Sequence, residues 1–285
     1  MTKTLTLLPF LVLSSATALA QSEPALEREV EAVRQVALDY LVGAESADAA
    51  RMERALHPEV TKVLLARYRQ TGAPYLRKSG VSQLVEVTRA RGAFVEEEKR
   101  HAEVTVYDIG YDMASVKVVS TQFVDHLLLA KIDGQWKIVD VLWVPNGRVT
   151  GPEPTPVDIE LDKRAVKSTA LDYIQGAYEG NAERMASALH PELTKVLCVR
   201  HPQTGKHLLL KTGASQLIEG TRAKLGLLGE DERNIEITVF DVGHDLASAR
   251  IVSAMYIDYL QLAKLDGNWQ IINVLWVPNP GERRG

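Results

Sequence analysis

Two aspartates, Asp125 and Asp258, stand in the least polar stretches of the chain, among valine, leucine and aromatic neighbours. A carboxylate in such surroundings is pushed toward its neutral form and can serve as a base near neutral pH. Its competing use is an internal bond to backbone at a bulge or sheet edge. His57 and His190, each followed by proline, could supply the matching acid, because imidazole titrates near working pH. Their competing use is at the end of a short helix, where the dipole favours a cation. Tyr40 and Tyr173 fall on a buried helical stripe and could orient a bound molecule, or simply close the core with one bonded hydroxyl. Asp140 and Asn273 share alternation with Trp136, Ile138, Leu142 and with Trp269, Ile271, Leu275, which makes them pocket-lining or internally bonded. Trp143 and Trp276 could stack on a flat ligand or pack between sheets.

Other chemistry finds no motif. The 7 histidines are scattered with no HxxH or HExxH spacing, so no metal site is expected. Cys198 is the 1 cysteine, in an apolar strand, which rules out an intrachain disulfide and makes a buried inert thiol the natural reading. There is no nucleophile elbow, phosphate loop or dinucleotide fingerprint, and no cofactor is expected. Arg67 and Arg200 alternate with apolar residues and read as strand-edge ion pairs. The formal charge of −4, without a Lys/Arg cluster, argues against nucleic acid and against an anionic membrane surface.

Every candidate comes in a pair because the chain repeats itself. Ala37-Leu38-Asp39-Tyr40 returns as Ala170-Leu171-Asp172-Tyr173, and Val141 through Asn146 as Val274 through Asn279, always 133 positions on (170 less 37, 274 less 141). Ahead of the first copy, Lys3, an apolar run from Leu5 to Leu13 and Ala18-Leu19-Ala20 have the order of a signal peptide. The boundaries are a leader at 1–20, a first domain at 24–148, a Pro-rich linker at 149–158 and a second domain at 159–281. A periplasmic or secreted product without a membrane span follows.

Stepping along one repeat, Leu26, Val30, Val33, Ala37, Tyr40 and Leu41 recur at helical spacing, and Gly43 is the expected stop. Asp48 and Asn181 are N-caps of a second, short helix that Pro58 and Pro191 end. A strand over Val60 to Tyr68, a turn at Gln70-Thr71-Gly72 and a third helix capped by Ser79 or Thr212 follow. Strands over Glu103–Ile109, Ala114–Ile132 and Gln135–Val144 complete a meander. On the long strand Val116, Val118, Val124 and Leu128 share one face and Val119, Phe123, Leu127 and Leu129 the other. Helices can cover only one of these faces, so the other copy is expected against the second, as a sheet-to-sheet pseudo-dimer within one chain.

This pattern resembles the nuclear transport factor 2-like superfamily, and within it the family called putative lumazine-binding. The residues that carry the likeness are Leu56-His57-Pro58-Glu59, Leu84 through Arg89, Ala114 through Val118, and Asp125 through Trp143, with Asp258 through Lys264 nearer still to the family form. The resemblance implies an α+β fold, two tandem cones, each of three helices packed on a curved antiparallel sheet around an apolar pocket. Members use such pockets for isomerase, dehydratase or cyclase chemistry, or for binding alone. Copy one departs from the pattern at His126, where copy two has Tyr259, and at Asp140, where copy two has Asn273.

The sequence points to binding rather than catalysis. Its leading reading is an exported protein that holds a small apolar or aromatic molecule, or a protein partner, with Tyr40, Tyr173, Asp140, Asn273, Trp143 and Trp276 as the binding residues. The alternatives are a cofactor-independent isomerase or dehydratase with Asp125 or Asp258 as base and His57 or His190 as acid, and a purely structural assembly module.

Overall fold

The computed structural model describes residues 16–147 and 155–282. Most of the leader, residues 1–15, and most of the Pro-rich segment, residues 148–154, lie outside the described residues. The first copy runs α1 (Ala16–Ser46), α2 (Ala49–Ala55), β1 (Leu56–Arg67), β2 (Pro74–Gly80), α3 (Val81–Arg89), β3 (Ala102–Gly110), β4 (Met113–Ser120), β5 (Phe123–Ile132) and β6 (Gln135–Pro145). The second repeats it as α4 (Pro156–Glu179), α5 (Ala182–Ala188), β7 (Leu189–Arg200), β8 (His207–Gly213), α6 (Ala214–Arg222), β9 (Glu236–Gly243), β10 (Leu246–Val252), β11 (Tyr256–Leu265) and β12 (Asn268–Pro278). The described residues form two six-stranded sheets, ordered β2-β1-β6-β5-β4-β3 and β8-β7-β12-β11-β10-β9. Within each, β1 runs parallel to β6 and β7 to β12, and the other pairings are antiparallel.

The caps expected of α2 and α5 are present, with Asp48 accepting from Arg51 N–H at 2.9 Å and Asn181 from Arg184 N–H at 3.0 Å. Other local signals act differently. Gly43 does not end α1, which runs on to Ser46; it lets α2 approach, since a Cβ there would lie 2.7 Å from Met52 N. Leu26 is exposed, so the buried stripe begins further along the helix. Pro58 does not end α2 either. The helix stops at Ala55, and His57 and His190 are already on β1 and β7. Gly80 and Gly213, rather than Ser79 and Thr212, precede α3 and α6. Thr155 and Asp158 form a capping box on α4, so the last residues of the expected linker are helical.

The expected long strand is two strands. Ser120 Oγ accepts from the N–H groups of Gln122 and Phe123 and turns the chain between β4 and β5. That turn breaks the alternation: Val116, Val118, Leu127 and Leu129 face the helices, whereas Val119, Val124 and Leu128 face away. A bulge at Val139, where the register passes from Ile138 to Asp140, breaks it again on β6. Trp136 and Ile138 therefore face the helices, and Asp140 and Leu142 the opposite side.

Each helix-covered face carries its own core, Val33, Ala37, Leu41, Leu127 and Ile138 in the first copy and Val166, Ala170, Ile174, Leu260 and Ile271 in the second. The opposite faces meet one another. Met113, Leu128, Ala130 and Val139 pack with Val196, Ile257, Tyr259 and Leu275, and the mirrored set packs Leu246, Ala263 and Ile272 with Val63, Val124 and Leu142. At the margins Lys78 Nζ donates to Glu192 O and Lys211 Nζ to Glu59 O, both at 2.6 Å.

Candidate functional site

Inside each helix-covered core lies one polar cluster. Lys62 projects from β1, Tyr40 from α1 and Asp125 from β5. Tyr40 OH donates to Asp125 Oδ1 at 2.9 Å, Lys62 Nζ donates to the same oxygen at 2.9 Å, and Lys62 also donates to Tyr40 OH. The second copy repeats the arrangement, with Lys195 Nζ 2.7 Å from Asp258 Oδ1 and 2.6 Å from Tyr173 OH, and Tyr173 OH 3.2 Å from Asp258 Oδ1. All six residues are buried. In each carboxylate the second oxygen, Oδ2, has no hydrogen-bond partner among the described residues.

Aromatic rings wall the ammonium groups. Lys62 Nζ stands 4.3 Å from the ring centre of Trp143 and 5.2 Å from that of Phe123, while Lys195 Nζ stands 4.4 Å from Trp276 and 5.1 Å from Tyr256. These are cation–π distances, and they hold a charge that burial alone would expel. Burial and the adjoining aspartate raise the hydroxyls of Tyr40 and Tyr173 well above the usual phenol range, so both stay protonated and donating. Burial lowers the Lys195 ammonium, although Asp258 pulls it back up. The cluster can thus neutralise one charge internally and still offer one carboxylate oxygen to an N–H or O–H from elsewhere.

Of the residues singled out in the sequence, Asp125, Tyr40 and Trp143 come together, as do Asp258, Tyr173 and Trp276. His57 and His190 do not join them. Each accepts, through Nδ1, the N–H two residues on, from Glu59 or Glu192 at 3.1 Å, at the outer start of its strand. Burial lowers the basicity of both imidazoles. Asp140 and Asn273 do not line the cores either, because the bulge turns them toward the other sheet. Neither Asp140 oxygen has a partner among the described residues, and Asn273 bonds Gln261. Arg67 pairs with Asp245 at 3.3 Å and is exposed.

Sequence reasoning missed Lys62 and Lys195. The available signal was a charge recurring at the same place in both copies, Thr61-Lys62-Val63 and Thr194-Lys195-Val196, inside otherwise apolar strands. Two clefts lie elsewhere, one of about 140 Å³ beside Cys198, His207 and Met113, which Trp276 also lines, and a shallower one of about 360 Å³ beside Trp136 and Arg54; neither is lined by the lysine, tyrosine or aspartate of a cluster. Among the described residues no group of three or more His, Cys, Asp or Glu could hold a metal ion, and no helix is long and apolar enough to cross a membrane.

Among solved structures, a nuclear transport factor 2-like protein of unknown function from Silicibacter pomeroyi is 17% identical, over 42% of this chain and 98% of its own, with a TM-score of 0.36. Another from Shewanella baltica is 20% identical over 42% and 94%, TM-score 0.33, and one from Methylobacillus flagellatus 22% identical over 42% and 94%, TM-score 0.35. A search of curated proteins found no significant match. The family profile described as putative lumazine-binding matches residues 28–144 and again residues 161–277. The chain therefore belongs to the putative lumazine-binding family, matched once by each of its two tandem α+β domains.

Proposed function

We propose that this is an exported protein whose cones bind a small apolar or aromatic molecule without transforming it. The observation that carries the reading is the repeated buried Lys-Tyr-Asp cluster, with one carboxylate oxygen in each copy unpaired among the described residues and aromatic rings beside it. A flat ligand that slides against Trp143 or Trp276 can give an N–H to Asp125 Oδ2 or Asp258 Oδ2, and the lysine holds that aspartate in place. The clusters are buried, so entry displaces side chains and the apparent affinity is reduced by the fraction of open molecules. The two sheets packed back to back serve, in this reading, as an intrachain pseudo-dimer that gives each cone a rigid floor. The leader-like start of the sequence supports delivery to the periplasm or outside the cell.

The positions of His57 and His190 leave an Asp–His acid–base pair without support. The family's description names lumazine, which makes it the first probe. Titration of the mature chain with lumazine, followed by tryptophan fluorescence, should give saturable quenching that Asp125→Asn together with Asp258→Asn removes while circular dichroism is unchanged. Quenching that survives the double variant sinks this site, and the absence of any binding favours the assembly-module reading.

A further inference from the structure

The two cones share a backbone but not a lining. In the second, Tyr178 on α4 is wholly buried; its hydroxyl donates to Ser253 Oγ at 2.7 Å and accepts Met255 N–H at 3.0 Å, and its ring stacks on Tyr256 at 6.2 Å. The same place in the first copy, 133 positions earlier (178 less 45), is Glu45 on α1. The surrounding main chain is unchanged: Val95 N–H donates to Glu45 O at 2.9 Å as Leu228 N–H donates to Tyr178 O at 3.0 Å. Glu45 is 0% exposed, and neither of its carboxylate oxygens has a hydrogen-bond partner among the described residues.

The groups near Glu45 do not satisfy it. Ser120 Oγ accepts from Gln122 and Phe123 N–H at 3.2 and 3.1 Å and stands close without reaching hydrogen-bond geometry to the carboxylate. Arg100 directs its Nε–H to Val95 O at 2.9 Å. Burial and the charge of Asp125 raise the Glu45 carboxyl, against a smaller opposing pull from Ser120, Arg100 and His101. Phe123 stands where the second copy has Tyr256, so the first cone lacks both the phenol ring at position 45 and the hydroxyl at position 123. Its cluster holds two carboxyls, with the ammonium of Lys62 bonded to Asp125 and the Arg100 guanidinium near Glu45 but donating through Nε to Val95 O. The second holds one carboxyl, Asp258, with the ammonium of Lys195, and has Tyr178 in place of the glutamate. A buried carboxyl without a donor is destabilising, and a ligand that brought the missing donor would recover that loss.

We propose that the first cone, and not the second, binds a small planar aromatic amine or amidine, with Glu45 and Asp125 Oδ2 accepting its N–H groups and Phe123 and Trp143 flanking its ring. This rests on the binding reading above and assigns it to one cone and one ligand class. A multiply donating nitrogen supplies N–H groups to the open oxygens of both carboxyls, whereas a ligand that only accepts hydrogen bonds leaves them unpaired.

The test uses benzamidine, with neutral benzamide for comparison, on the mature full-length chain, by isothermal titration and native mass spectrometry. One benzamidine per chain is expected, with benzamide weaker by about tenfold or more, the size of a lost charge-assisted hydrogen bond. Glu45→Gln should weaken benzamidine by a similar factor, and Glu45→Tyr, which installs the second copy's own residue and so should fold, should abolish it. Tyr178→Phe should leave it unchanged. Two benzamidines per chain, equal binding of benzamide, or binding that survives both Glu45 variants overturns the inference. If lumazine binds and benzamidine does not, this inference falls and the broader binding reading stands; if neither binds, both fall.

Discussion

Asp140 and Asn273 occupy equivalent places on β6 and β12, yet among the described residues only the asparagine side chain has a hydrogen-bond partner. Asn273 Nδ2 donates to Gln261 Oε1 at 2.8 Å, and Gln261 Nε2 passes the contact to His126 O of the first sheet at 2.7 Å. Opposite Asp140 the residue is Leu128, which offers nothing. Burial accordingly raises the Asp140 carboxyl well above its ordinary range, and Lys211 and Lys78 offset this only in part.

A carboxyl raised in the folded state holds its proton more tightly there than in the unfolded chain. Its contribution to stability is therefore full below the ordinary carboxylate range and is lost as pH rises from about 4 toward the folded value, at about 1.4 kcal/mol per pH unit for one group. Asp140→Asn should flatten this decline, with Glu45, raised in the same sense, retaining part of it. Adding Leu128→Gln supplies the missing partner and should stabilise further at pH 7. Urea unfolding at several pH values checks this; equal slopes for wild type and Asp140→Asn would refute it.

The Lys62–Asp125 pair is buried, so removing one partner strands the other. Lys62→Met should cost about 3–5 kcal/mol, and Lys62→Met with Asp125→Leu should recover much of that loss. Denaturant midpoints of the two variants decide; a double variant no better than the single one would contradict the argument.

Gly43 and Gly176 are where α1 meets α2 and α4 meets α5. A Cβ would lie 2.7 Å from Met52 N and 2.8 Å from Met185 N, and backbone cannot swing aside. Gly43→Ala or Gly176→Ala should destabilise by about 1–3 kcal/mol. Gly80→Ala, with open space around it, should fall within about 0.5 kcal/mol of wild type. Thermal melts of the three variants would show the contrast or its absence.

The contact between sheets is charged at its margins. Lys117 Nζ lies 2.8 Å from Asp241 Oδ2, and on the mirrored side Tyr259 OH donates to Asp108 Oδ2 at 2.7 Å beside Arg250. Burial tends to raise Asp241, but hydrogen bonds from His126 and Lys117 outweigh it and carry the carboxyl below its ordinary range. That contribution is present above about pH 4 and is lost as the pH falls further. A protease site placed within residues 149–154 should, after cleavage, give two lobes that co-elute at pH 7. Separate elution at pH 7 would show that the apolar faces alone do not hold them.

The repeat made the fold legible, because each apolar period could be read twice and the His-Pro and Trp landmarks kept step. What escaped were events of one residue. The bulge at Val139 reverses the face of Asp140, and the Ser120 turn divides one apparent strand into two, so alternation counted across either point assigns the wrong side. Lys62 was passed over since a lone lysine within a strand ordinarily marks a solvent edge, and only the helices folded over β1 bury it. Asp125, Tyr40 and Trp143 were found because they are unusual in their own local context. Glu45 was not, because a glutamate near the end of an acidic amphipathic helix looks unremarkable until the helix is docked.

The mirrored packing of the two sheets has a further consequence for inheritance. In an assembly of two identical subunits, any substitution at the axis arrives on both sides at once and must be compatible with its own reflection. Here the two sides are encoded separately, and they have already parted: His126 faces Ser248 where the reflected position is Tyr259 facing Asp108, and Lys117 answers Arg250. Joining the halves in one gene frees one half to specialise while the other preserves the scaffold.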